Sequence, residues 1–99
     1  MIVKYASPHP KLTTRFVRSE DPQVEDDSIA LLNEAGEEMA SVGIMSAFIY
    51  GGAKDAYTAT VETTQDGEIA FWMGQERATF DEAAADAVAR LIKDGKLEA

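Results

Sequence analysis

The strongest constraint on this chain is a period-two alternation broken once by Asp66-Gly67. Tyr57, Ala59, Val61 and Thr63 alternate with Thr58, Thr60 and Glu62; after the break, Ile69, Phe71 and Met73 alternate with Ala70 and Trp72. Alternation at this period is the signature of a strand, and an Asp-Gly pair between two such runs signals a hairpin. Two registers compete. A two-residue loop sets Val61 opposite Trp72 and puts Ile69, Phe71 and Met73 on the face of Thr60, Glu62 and Thr64. A three-residue loop, Gln65-Asp66-Gly67, sets Val61 opposite Phe71 and Ala59 opposite Met73. The second makes one face uniformly apolar. Because a one-residue slip inverts every side chain, burial favours that register.

A helix follows at about 80–94. Thr79 and Glu82 form a capping box. Phe80, Ala84, Ala87, Val88, Leu91 and Ile92 form one apolar stripe at helical spacing. Asp81, Glu82 and Asp86 sit early, Arg90 and Lys93 late, as the helix dipole prefers. Asp86 and Arg90 are spaced for an i,i+4 ion pair. Gly95 is a natural left-handed stop.

Upstream the pattern is again strand-like. Residues 2–6 and 12–18 read as short strands, separated by Ser7-Pro8-His9-Pro10, whose prolines break the pattern. Residues 28–44 admit a hairpin or a helix. The hairpin, 29–44, is preferred. Its loop Glu34-Ala35-Gly36, with a left-handed glycine, pairs Leu31 with Met39. A glycine in mid-helix costs about 1 kcal/mol relative to alanine. Residues 45–50 extend a strand to Gly51-Gly52. The sum is one α+β domain over residues 1–99: a mostly antiparallel sheet of about five to six strands with a single C-terminal amphipathic helix packed on it. With 45% hydrophobic residues the chain can build a small core.

The net charge is −9, and it is segregated. Residues 1–18 hold Lys4, Lys11, Arg15 and Arg18 and no acid. Residues 19–53 hold Glu20, Asp21, Glu25, Asp26, Asp27, Glu34, Glu37 and Glu38 and no base. This balance disfavours direct binding to nucleic acid and suits a protein partner with a basic surface. The same segregation would also arise if the basic segment folds back on the acidic one.

The residues speak against catalysis. There is no cysteine and a single histidine, His9, between two prolines, which disfavours a transition-metal site. No nucleophile-elbow or EF-hand spacing occurs. Gly51-Gly52-Ala53-Lys54 lacks the spacing of a nucleotide-binding loop. No cofactor is expected. Absence of cysteine, of a leader-like start and of a bilayer-length apolar run predicts a soluble cytoplasmic protein with no membrane partner. Trp72 reads either as core or, with Tyr50 and Tyr57, as an aromatic patch.

Residues 57–92 resemble the sheet-and-helix half of HicB-type antitoxins, through Tyr57-x-Ala59-x-Val61, Asp66-Gly67 and Thr79-Phe80-Asp81-Glu82-Ala83. The longer glycine-containing segment of that family and its DNA-binding tail are missing, so the resemblance implies fold and not activity.

The expectation is therefore a non-enzymatic acidic protein-binding module, in its sharpest form a phage or mobile-element inhibitor of a host nucleic-acid-binding defence system. Its contact residues would be Glu20, Asp21, Glu25, Asp26, Asp27, Glu34, Glu37 and Glu38. Other readings remain: a small-ligand or catalytic domain with a pocket between sheet and helix walled by Tyr50, Tyr57 and Trp72, an antitoxin-like domain of the HicB-type half, and a homodimer joined through an exposed strand edge.

Overall fold

A computed structural model describes residues 5–18, 20, 27–45 and 56–98. Among the described residues five strands run in chain order: β1 (Thr13–Val17), β2 (Asp27–Leu32), β3 (Glu38–Met45), β4 (Ala56–Gln65) and β5 (Glu68–Met73). They form one sheet in the order β1-β2-β3-β4-β5, with every neighbour antiparallel. The helix α1 (Phe80–Lys93) covers one face across β3 and β4. This is the α+β arrangement expected. Of the strand expected at 2–6, Tyr5 and Ala6 lie outside any strand, and the rest falls outside the described residues, as does 46–50.

The core lies between sheet and helix. Ile29 and Leu31 from β2, Val42 from β3, and Ala59 and Val61 from β4 are fully buried, as are Ala83, Ala84, Ala87 and Leu91 from α1. The alanines let the helix axis come close, so that Leu91 and Phe80 can fill the space between layers. Tyr5 packs on Phe80, with ring centroids 4.9 Å apart. Its carbonyl accepts from Thr14 Oγ1 at 2.7 Å, which ties the N-terminal segment to β1.

The helix ends follow their local chemistry. Thr79 Oγ1 accepts from the Glu82 N–H at 3.2 Å and donates to Glu82 Oε1 at 3.0 Å. Gly95 stops the helix at φ +75°. The ion pairing differs from the expected Asp86–Arg90 pair. Asp86 instead receives two hydrogen bonds from Arg77, at 2.7 and 3.0 Å, and Arg90 pairs with Asp94 at 3.2 Å. A bidentate guanidinium–carboxylate fork has better geometry than a flexible i,i+4 contact. Arg77 is delivered to it by a bridge to Tyr57, with both backbone N–H to carbonyl distances at 2.8 Å.

The β2–β3 hairpin is present, with Gly36 at φ +84°. Its register departs from the expected Leu31–Met39 pairing. Leu32 faces Glu38, Leu31 faces Ala40, and Met39 is the extra residue of a bulge. The Asn33 side chain explains this. Its Oδ1 accepts from the N–H of both Ala35 and Glu37 at 2.9 Å, building a wider turn than a three-residue loop.

The β4–β5 hairpin overturns the expected register more consequentially. The loop has two residues: Gln65 faces Glu68, Val61 faces Trp72 and Glu62 faces Phe71. Asp66 and Gly67 both have positive φ, +54° and +80°. That is the signature of a type I′ turn, whose twist matches the strands it joins. Turn chemistry therefore prevails over the apolar count of the alternating set. Trp72 goes inward, half-buried against the core and room for its ring is left by Gly74, where a Cβ would stand 3.2 Å from it. Ile69, Phe71 and Met73 go outward.

Urea denaturation checks this assignment. Leu91→Ala should lose about 2–5 kcal/mol by cavity formation. Phe71→Ala should stay within about 0.5 kcal/mol, as an exposed position does. A large loss at Phe71 would mean that it is buried and that the register is the other one.

Candidate functional site

The face of the sheet opposite α1 carries the residues that stand out. Ile69, Phe71 and Met73 are 72%, 66% and 66% exposed. They lie in a row along β5, because alternate residues of a strand share a face. A lone exposed apolar side chain is ordinary, but a contiguous row is the kind of surface that marks an interaction site. No described element covers it.

The neighbouring strands make the site mixed. Thr60 of β4 lies opposite Met73, Glu62 opposite Phe71, and Thr64 opposite Ile69. Next to β4, Ser41 of β3 lies opposite Thr60. A shallow groove of about 290 Å³ runs among Glu38, Met39, Ser41, Thr60, Glu62 and Phe71. The exposed carboxylates of Glu38 and Glu62 thus flank an exposed aromatic ring. A phenyl face attracts cations, and carboxylates accept from guanidinium or ammonium groups. The combination can hold a basic side chain by its charge and the stem or an apolar neighbour by contact with Phe71.

The acids expected to make contact are dispersed. Glu38 opens β3 and lines this groove. Glu34 lies at the hairpin tip, 3.5 Å from Lys11 Nζ, so the basic N-terminal segment does reach the acidic one at this point. Glu37 is taken up by the turn itself, its Oε1 accepting from Asn33 Nδ2 at 3.2 Å. Asp27 begins β2, half-buried and engaged. Glu20 is exposed just beyond β1. Asp21, Glu25 and Asp26 lie outside the described residues. Ile69, Phe71, Met73 and Glu62 were not expected at the site. The Asp66-Gly67 pair was the signal that could have found them.

On the opposite side, Trp72 is capped by Arg90, whose Cζ stands 5.6 Å from the ring centroid. The Asp86 fork, through hydrogen bonding first and charge second, raises the Arg77 pKa above its ordinary value. These charges are already paired, so this patch consolidates the helix–sheet junction. Tyr57 packs with Trp72 against the core, and Tyr50 lies outside the described residues. Among the described residues no polar or charged side chain is buried, and the concavity beside Trp72, about 230 Å³, is lined by Asp86, Arg90 and Lys93, the first two of which are already paired. Both ring nitrogens of His9 are engaged. Nδ1 accepts from the Lys11 N–H at 3.0 Å, and Nε2 donates to the Glu98 carbonyl at 2.9 Å. His9 thereby ties the segment before β1 to the segment after α1. No group of three or more His, Asp or Glu side chains placed to hold a metal occurs among the described residues. None of the described helices is long and apolar enough to cross a membrane.

Comparison with protein-family models, with curated proteins and with solved structures returned no match.

An exposed apolar row should be visible to a neutral, environment-sensitive dye. The native chain is expected to enhance Nile red emission, and the triple variant Ile69→Ser, Phe71→Ser, Met73→Ser should abolish the enhancement with little change in melting. An undiminished signal would place the apolar surface elsewhere.

Proposed function

We propose that this chain is a non-enzymatic, acidic protein-binding module whose docking surface is the outer face of β3, β4 and β5. The observation that carries this reading is the uncovered row Ile69, Phe71 and Met73 beside the carboxylates of Glu38 and Glu62. An apolar centre with a charged margin is the anatomy of a protein interface. An aromatic anchor supplies the binding energy, and the surrounding charge chooses the partner. The partner presents basic side chains next to an apolar one. The net charge of −9 adds long-range attraction for such a surface and repels nucleic acid.

In its sharpest form the module is an inhibitor, encoded by a phage or mobile element, that occupies a basic groove which a host defence protein uses for phosphate. It would act in the cytoplasm. What favours this form is the charge alone: a carboxylate-rich surface is the cheapest protein imitation of a phosphate backbone.

Capture on the immobilised chain from a bacterial lysate tests the reading. The expected partners are basic proteins that are released as ionic strength rises from about 0.05 to 0.5 M, over which the screening length shrinks several-fold. The variant Glu38→Lys, Glu62→Lys, Phe71→Ser should lose them, with association slowed about tenfold or more. Acidic partners, binding that strengthens with salt, or undiminished capture by the variant would each contradict the proposal.

A further inference from the structure

β5 is the last strand of the sheet, and among the described residues nothing pairs with its far side. The two-residue loop fixes which of its backbone groups are free. In such a hairpin the residues flanking the loop, here Gln65 and Glu68, exchange hydrogen bonds, and pairing alternates from there. Ala70 and Trp72 then bond to β4. The Gly74 N–H, which donates to the Ala59 carbonyl at 2.9 Å, continues the same parity. The N–H and C=O groups of Ile69, Phe71 and Met73 therefore point away from the sheet. These are the same three residues whose side chains are exposed on the outer face.

Edge strands are normally blunted by lysine, proline, a bulge or a covering element. Among the described residues β5 has none of these, and residues 69–74 carry no charge. The opposite edge is different: β1 has Arg15 at its centre, with Arg18 just past its end. One edge is protected and the other is open.

We propose that β5 pairs antiparallel with β5 of a second copy of this chain, about a two-fold axis at Phe71, so that one sheet runs through both molecules. The sequence of the strand is self-complementary in that register. Phe71 meets Phe71 of the second copy, Ile69 meets Met73, and Glu68, the one charge in the strand, meets Gly74. Each of the three apolar pairs is a hydrogen-bonded pair, because all three residues turn their backbone groups outward. The outer faces stay on the same side, so the two apolar rows join into one continuous patch flanked at both margins by Glu38 and Glu62. This inference goes beyond the partner-binding reading and stands without it, since it concerns the strand edge rather than the face.

Salt separates the two. Copies carrying −9 each repel, so self-association should strengthen as salt is added, the opposite of binding to a basic partner. Sedimentation of the purified chain up to about 1 mM should show the mass rising from 10.7 kDa toward twice that value, further at high salt. The variant Ile69→Lys, Met73→Lys places like charges opposite each other in both outer pairs and should stay monomeric. Ile69→Lys, Met73→Glu makes both pairs complementary and should restore the dimer. These positions are exposed, so melting should barely move. A second variant, Phe71→Cys, places its thiols on the axis, where strand pairing sets Cα atoms about 5.5 Å apart, within disulfide reach. The chain has no other cysteine, so oxidation should give a single cross-linked dimer. A wild-type chain that stays at 10.7 kDa throughout, a double-lysine variant that still dimerises, or absence of the cross-link would overturn the proposal. So would a monomer whose Ile69, Phe71 and Met73 amides become protected from exchange only when another protein's extended segment is added.

Discussion

The Asp66-Gly67 turn is the constraint on which the rest depends. Both residues sit in the left-handed region, at φ +54° and +80°. Aspartate tolerates that conformation and glycine is at ease in it. A two-residue loop with this geometry permits one register, and the register decides the face of every residue in β5. Trp72 then lies over Val61 and packs toward α1, and Gly74 leaves space for its ring. Ile69, Phe71 and Met73 are left outside. The same parity directs their backbone groups to the free edge. Exposed face and open edge are thus two results of one turn.

The helix side shows how such an arrangement stays folded while that surface remains open. Burial there rests on small residues. Ala83, Ala84 and Ala87 bring α1 close to β3 and β4, and Leu91 and Phe80 fill what remains. Arg77 and Asp86 lock the segment after β5 to the helix, and Arg90 covers Trp72. With a core on one side, the sheet can leave the row Ile69, Phe71 and Met73 exposed on the other.

Much of this is legible in the residues alone, and the failures share a cause. The helix could be read from Thr79, Glu82, its apolar stripe and Gly95 because all of that information is local. The 29–44 hairpin and the left-handed Gly36 followed from turn chemistry. What could not be read depended on contacts distant in sequence. Asp86 chose Arg77 over Arg90, and Asn33 widened a turn enough to make Met39 a bulge. The register of β4–β5 failed for a different reason. Ile69, Phe71 and Met73 outweigh Ala70 and Trp72 in apolar surface, so burial argued for turning them inward. Local turn geometry argued the reverse and prevailed. A sequence whose local and global preferences disagree at one place is often spending stability on a functional surface there. The candidate site lies at that disagreement. The acidic residues show the same limit: their sum is visible in composition, but which of them stand beside Phe71 is set by strand order.

The most direct test is cross-strand proximity in the isolated chain by nuclear Overhauser effects. In the register described, Glu62–Phe71 and Thr60–Met73 are the close, non-hydrogen-bonded pairs, whose Cα atoms are about 4.5 Å apart. Strong Hα–Hα effects are predicted between Glu62 and Phe71 and between Thr60 and Met73, with Trp72 side-chain protons close to those of Arg90. Effects that instead link Val61 to Phe71 and Ala59 to Met73 would turn the apolar row inward, and would contradict both the site and the open edge.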